Sequence, residues 1–413
     1  MSAAAHWFSE RLAATFIALR HRNYRLWFFG QLVSLVGTWM QSSAQGFLIY
    51  ELTKSPAYLG YIGFLAGLPS WIFTLFAGVI ADRLPRRNLL LVIQSFMMIL
   101  AFILGGLTIA GIVQPWHILA LAFLLGVANA FDAPTRLSFI REMVSREDLT
   151  NAIALNATMF TSAVVIGPAV GGLAYASLGP GWCFTLNGLS FLAVILALSL
   201  MKLHPFTPPE KKASIWKDLV EGVRYVKNHP VIRLLIINLG VIAMLGFGVI
   251  TLLPAWSVEI LGGDARTNGY LLSARGVGSL ASALMVASLG RFAFRGKLWT
   301  IGSFTLPALT LLFALTRSLA LALLIIVGIG WSFILLVNTT NAMVQSLARD
   351  ELRGRVMGVY TLIFFGASPI GSLIVGWLAA GVGEPPTVIL TAALLLAYAF
   401  FVFVRQPMMR TLE

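Results

Sequence analysis

The sequence predicts an all-α membrane protein: twelve transmembrane helices in two pseudo-symmetric six-helix bundles. Three observations carry that expectation. Of 413 residues, 58% are hydrophobic and 11% charged, with a mean hydropathy of +0.87, a balance foreign to soluble globular proteins. Apolar runs of about 20 residues, enough to cross a hydrocarbon core, recur about twelve times. One long polar stretch, residues 204–230, divides them six and six.

The elements follow in order. The opening segment, MSAAAHWFSERLAATFIALRHRNYR, reads as neither a cleaved signal nor a soluble domain. Its spaced apolar and basic residues suggest a short interfacial helix leading into the first span. The runs fall at roughly 27–50, 57–80, 89–112, 116–138, 153–177 and 182–201, then 231–256, 267–290, 298–316, 319–342, 356–381 and 387–405. The domains expected are therefore residues 1–203 and 231–413, joined by a linker at 204–230. The linker begins HPFTPPEKK, whose prolines exclude a continuous helix. It continues with Trp216, Leu219, Val220, Val223 and Val226 at helical spacing against Lys217, Asp218, Glu221, Arg224 and Lys227. That pattern describes an amphipathic helix along the membrane surface.

The net charge is +13, and its distribution carries the information. All but four of the 29 Lys and Arg, the exceptions being Lys54, Arg266, Arg275 and Arg317, fall in segments that one orientation places inside. The expected location is a bacterial inner membrane with both termini cytoplasmic. Basicity then reports topology and contact with anionic lipid, not a nucleic-acid partner. A lone cysteine, Cys183, excludes an intramolecular disulfide and a multi-cysteine metal site. No phosphate-binding Walker pattern appears, and the five histidines lack metal-ligand spacing. No cofactor, metal or catalytic set is expected, and the chain reads as a non-enzyme.

The connection between the second and third runs is GVIADRLPRR, Gly78 to Arg87. Asp82, Arg83, Arg86 and Arg87 crowd a loop so short that its spans must form an antiparallel hairpin. Gly78 permits close approach of another helix, and Asp82 suits a neighbouring helix N-terminus. An echo at 290–295 carries Phe294 in place of the carboxylate and leaves Arg295 and Lys297 as cations. SREDLTNA and ARDELRGR likewise precede the fifth and eleventh runs. Each of those runs contains a proline step, Gly167-Pro168 with Gly171 and Gly172, and Ser368-Pro369 with Gly371. Such steps bend a helix and let a neighbour pack closely. Repeated six-span halves place a substrate site at their interface near mid-membrane.

These residues resemble the major facilitator superfamily over nearly the whole chain. Gly78 to Arg87 is similar to its signature after the second helix, Gly-x-x-x-Asp-Arg/Lys-x-Gly-Arg-Arg, with Pro85 at the second glycine. Val164 to Gly172 resembles the fifth-helix motif of its antiporters, Gly-Pro-x-x-Gly-Gly, with Ala163 at an earlier glycine. NAFDAPTR, ending at Arg136, and DELRGRVMG, starting at Asp350, are similar to the branch of macrolide-efflux and siderophore-exporting members. The resemblance implies a secondary active transporter, a monomer, that exports an amphipathic small molecule in exchange for protons by alternating access. It makes Asp82 part of a cytoplasmic latch between the halves, and the fifth-helix motif a tight, kinked barrier to leak.

Asp132 and Arg136 stand four residues apart in the fourth run, where they share a helical face and can pair. Ionisable groups at depth face the bundle interior or a wet cavity, which makes this pair the proton-coupling candidate. A snorkelling pair is the alternative. Arg275 in the eighth run is either an anion-recognising group or a snorkelling or paired cation. Gln41, Gln45, Asn156, Asn238, Asn338 and Asn341 join it as substrate-binding candidates, each also capable of a plain interhelical hydrogen bond. The expected partners are a small-molecule substrate, protons and membrane lipids. Lipid or lysolipid translocation, and a membrane sensor without transport, stay open as alternatives.

Overall fold

The computed structural model describes residues 15–203, 215–289 and 294–411. The expected interfacial helix before residue 15, the proline-rich start of the linker, the first part of the echo loop and the Asp82 side chain lie outside what is described. All described secondary structure is helical. Among the described residues, eleven helices are long and apolar enough to cross a membrane. A further helix, α1 (Arg22–Thr53), is 32 residues long but more polar than those eleven. Its Gln31, Ser34, Gln41, Ser43 and Gln45 are buried, so its polarity faces protein and leaves lipid an apolar surface.

The others are α2 (Pro56–Arg83), α3 (Arg86–Ile109), α4 (Pro115–Phe139), α5 (Leu149–Leu178), α6 (Pro180–Leu200), α7 (Pro230–Ile260), α8 (Ala265–Leu289), α9 (Arg295–Leu315), α10 (Leu319–Leu347), α11 (Arg353–Val382) and α12 (Glu384–Arg405). Helix α7 is not continuous. It breaks after Gly246, resumes over Gly248–Ala255 and ends in a π turn at Trp256–Ile260. Pro254, inside the second piece, lacks the N–H that the preceding turn would need. A linker helix, Ile215–Asn228, precedes α7 and leaves Trp216, Val220 and Val223 exposed.

The two bundles repeat one packing scheme. Helix α1 packs on α5 and α6 as α7 packs on α11 and α12; α2 meets α4 as α8 meets α10; α3 meets α6 as α9 meets α12. The turns after α5 and α11 repeat to the dihedral. Gly179 has φ 90° and ψ 163°, and Gly383 has φ 89° and ψ 164°, a region that a side chain enters only with strain. Proline in the first turn then starts the next helix in both cases.

Between the bundles the principal pairs are α2 with α11 and α5 with α8. The same pseudo-symmetry that exchanges α2 with α8 and α5 with α11 exchanges these seams. The end of the bundle bearing Arg83, Arg86 and Arg87 is termed the basic end, and the opposite one the far end.

Candidate functional site

Two adjoining cavities lie at the centre. The larger, about 500 Å³, sits among α1 to α4 and is lined by Gln31, Gln45, Gln94, Asp132 and Arg136 among others. The smaller, about 350 Å³, lies where the bundles meet and includes Trp39, Phe247, Asn268, Arg275 and Ser368. Trp39, Ser42, Gly46, Ile62 and Gly63 wall both. The result is a mostly apolar space with a few convergent polar groups, the usual chemistry of a small-molecule site.

Both oxygens of Asp132 are engaged. Arg136 Nε lies 2.7 Å from Oδ2, and Gln94 Nε2 donates to Oδ1 at 2.8 Å. Asp132 is only 4% exposed. The one-turn spacing along α4 sets the ion pair, while Gln94 reaches across from α3. At such depth the partners keep each charge tolerable.

The far end is sealed along both seams. On α2, a Cβ at Gly60 would come 2.9 Å from the Ser372 carbonyl oxygen of α11, and one at Gly63 would come 2.7 Å from Ser372 Cβ; Gly67 abuts Pro369. On α5, a Cβ at Gly172 would come 2.5 Å from the Ala265 carbonyl oxygen of α8, and Gly269 of α8 sits as closely over the Pro168 carbonyl. Hydrogen bonds across the bundles cluster here too. Tyr50 donates to Glu259 at 2.8 Å, Trp377 to Tyr61 at 3.0 Å, and Asn268 to Ser43 at 3.3 Å. Tyr175 donates to Glu51 within the first bundle.

The basic end differs. A Cβ at Gly78 of α2, or at Gly354 or Gly358 of α11, would meet none of the described residues within 4 Å. The loop arginines turn back into their own bundle. Arg86 pairs with Glu142 at 2.6 Å, and Arg87 donates to the Leu198 and Ser199 carbonyls at the end of α6 at 2.7 and 2.9 Å, a favourable place for a cation. The linker helix stands between the halves here. Trp216 rests edge-on to Phe76 of α2 with ring centroids 6.1 Å apart, and Asp218 and Glu221 hold Arg355 of α11 at 2.9 and 2.7 Å. At the start of α5, Arg20 and His21 reach Asp148 at 2.8 and 2.6 Å. The His21 hydrogen bond first, and Arg20 after it, hold the Asp148 carboxyl below the usual carboxylate range.

The remaining candidates scatter. Within the fifth-helix motif, Gly167 and Gly171 press on Val36 and Met40 of α1 in the same bundle, whereas Gly172, the Pro168 carbonyl and, at Gly276 of α8, Val164 and Val165 meet the other bundle. Gln41 accepts from Asn187 at 2.7 Å and Gln45 donates to the Ile118 carbonyl at 3.2 Å. Asn341 accepts from Gln345 one turn on at 2.6 Å. Asn238 is buried, its Nδ2 without a hydrogen-bond partner among the described residues, while Asn156 and Asn338 stay partly exposed. Sequence reading passed over Gln94, although a lone glutamine in a 24-residue apolar helix is a signal. It also passed over Gly60, Gly63 and Gly67, whose helical spacing marks a packing face. Nothing in the sequence pairs Tyr50 with Glu259.

Comparison with known proteins matches this architecture. The family model described as transmembrane secretion effector aligns with residues 13–413. Among curated relatives, the multidrug efflux pump Tap of Mycolicibacterium fortuitum is 26% identical over 399 residues, 93% of this chain and 96% of that protein. The staphyloferrin A transporter of Staphylococcus aureus is 24% identical over 85% of this chain and 88% of its own length. The enterobactin exporter EntS of Escherichia coli O81 is 27% identical over 87% and 86%. Among solved structures, the nucleoside transporter NupG superposes with a TM-score of 0.73 at 12% identity, covering 94% of this chain and 98% of that one. An inward-facing, unoccupied bacterial homologue of the human lysosomal transporter Spinster gives 0.71 at 14% identity, covering 93% and 96%.

Proposed function

The chain belongs to the transmembrane secretion effector family of the major facilitator superfamily, and from that premise we propose a proton-coupled exporter of amphipathic small molecules that works by alternating access. The relatives named for drugs and siderophores support that cargo class. Positive-inside bias supports a cytoplasmic basic end and cytoplasmic termini, with the chain spanning a bacterial inner membrane in this reading. Residues 1–203 and 231–413 act as the two moving halves of a monomer, and 204–230 links them.

One observation carries the proposal: glycine seams pack the halves closely at the far end, whereas at the basic end a Cβ on Gly78, Gly354 or Gly358 would meet none of the described residues within 4 Å. That is the posture for loading from the cytoplasm. Outward opening then requires the far seams to part and the basic ends to meet, bringing the Gly78–Arg87 loop against the start of α11. Asp132 is the coupling carboxylate. Taking up a proton would break its pairing with Arg136, release that guanidinium into the cavity and loosen the Gln94 link between α3 and α4.

Flux into proteoliposomes under an imposed pH gradient, measured with a panel of dyes, macrolides and catecholates, tests the reading. Wild type should move at least part of the panel only when the gradient is present. Asp132→Asn should insert normally yet lose proton-driven flux by about 100-fold, the scale of removing a positioned acid–base group. A variant that pumps at the wild-type rate would reject Asp132 as the coupling group.

A further inference from the structure

Arg275 stands on α8 about 15 Å from Ala265, close to the middle of a hydrocarbon core about 30 Å thick. It lines the cavity between the bundles, and its Nε is buried without a hydrogen-bond partner among the described residues. A guanidinium stays charged at any physiological pH, and an uncompensated charge at that depth is expensive. No Asp or Glu is among the described residues lining that cavity. The carboxylates nearby are engaged: buried Asp132 with Arg136 and Gln94, and the exposed Glu259 and Glu51 at the far end with Tyr50 and Tyr175. At the far end, Asp264 accepts from the Arg266 and Thr267 backbone N–H groups.

Movement of α8 does not offer an easy escape. Gly330 of α10 packs directly on the Arg275 carbonyl, and the Ser279 hydroxyl donates to the Arg275 carbonyl at 3.0 Å. The Arg275 backbone is therefore pinned at this depth, and the residue lines a cavity whose described residues supply no counter-charge.

We infer that Arg275 is an anion-binding point and that the substrate is an amphipathic acid. Its carboxylate, or an equivalent oxyanion, pairs with the guanidinium in the two-pronged geometry arginine favours. Its apolar body lies against Trp39, Phe247 and Leu272, which line the same cavity. The inference rests on the transporter reading of that cavity and narrows its amphipathic cargo to an acid.

The test measures binding to purified full-length protein of dansyl-phenylalanine and of its methyl ester, a pair differing in one negative charge, by dansyl fluorescence. The probes are titrated into wild type, Arg275→Lys and Arg275→Gln, in chloride and in gluconate buffer. Wild type should bind the acid about tenfold or more tightly than the ester. Arg275→Gln should bind both alike, and Arg275→Lys should keep part of the preference, which shows that the fold survives. Equal binding of acid and ester by wild type, or no binding of the acid, overturns the anion site. Acid preference that survives in Arg275→Gln overturns the assignment to Arg275. Chloride that competes with the acid would make this an inorganic-anion site and overturn the substrate claim. Proton-driven flux of neutral or cationic dyes that persists in any of these cases keeps the exporter reading while this one falls.

Discussion

Helix α2 is two different surfaces on one rod. Its far half, through Gly60, Gly63 and Gly67, lies directly against α11, whereas a Cβ at Gly78 near its basic end would meet none of the described residues. Helix α11 shows the same division, with Gly366 and Gly376 in contact and Gly354 and Gly358 clear. The seam between α5 and α8 repeats the closed half through Gly172 and Gly269. The difference teaches that glycine on these helices is not uniformly a packing residue. Where it touches the partner it sets how close the halves come, and where it stands free it leaves room for an approach that has not happened.

Breaking the closed half should have the largest effect. Gly172→Leu puts a branched side chain into the Ala265 carbonyl, and we expect flux to fall by an order of magnitude or more with about 1–3 kcal/mol lost from overpacking. Gly78→Leu should leave thermal stability in detergent unchanged while still slowing flux, because its obstacle arises only when the basic ends meet. Equal melting losses for the two variants would erase the distinction between the surfaces. Freeing the linker helix sharpens the comparison with a smaller effect. Arg355→Ala removes the partner of Asp218 and Glu221, a partly exposed set worth about 1 kcal/mol, and should speed hydrogen exchange across residues 215–228. Unchanged exchange there would show that the helix is held by packing alone.

The smallest expected effect concerns Asp148. Its folded-state pKa is depressed, so its pairing with His21 and Arg20 contributes fully above the unfolded value of about 3.9. That contribution is lost as pH falls through the lower folded value. Exchange at residues 17–21 should therefore rise only in strong acid, and Asp148→Asn should raise it at every pH. A rise already present at pH 6 in the wild type would point to a different group.

Much of this architecture is legible in the sequence because membranes enforce simple rules. Twelve apolar runs, the amphipathic Trp216–Val226 pattern and the echo between SREDLTNA and ARDELRGR all register as periodicity or repetition, which local reading detects. What escapes is set by tertiary contact. The length of α1 is legible, yet the burial of its glutamines depends on the helices around it. The break at Gly246 and the π turn after Ala255 arise within an unbroken apolar run. Asp132 and Arg136 share a helix, so their spacing announces the pair. Gln94 and Glu259 find their partners 38 and 209 residues away, and no pattern in the chain joins them.

The central claim is that the far seams must part for transport. Asn268 of α8 and Ser43 of α1 hydrogen-bond across the halves at 3.3 Å, which makes them the pair at which to place cysteines for an oxidisable cross-link over the seam. The measurement is proton-driven flux of the Ser43→Cys/Asn268→Cys variant on a Cys183→Ser background, before oxidation, after it and after reduction. Oxidation should stop flux, reductant should restore it, and neither single-cysteine variant should respond. Full flux through the oxidised, cross-linked protein would contradict it.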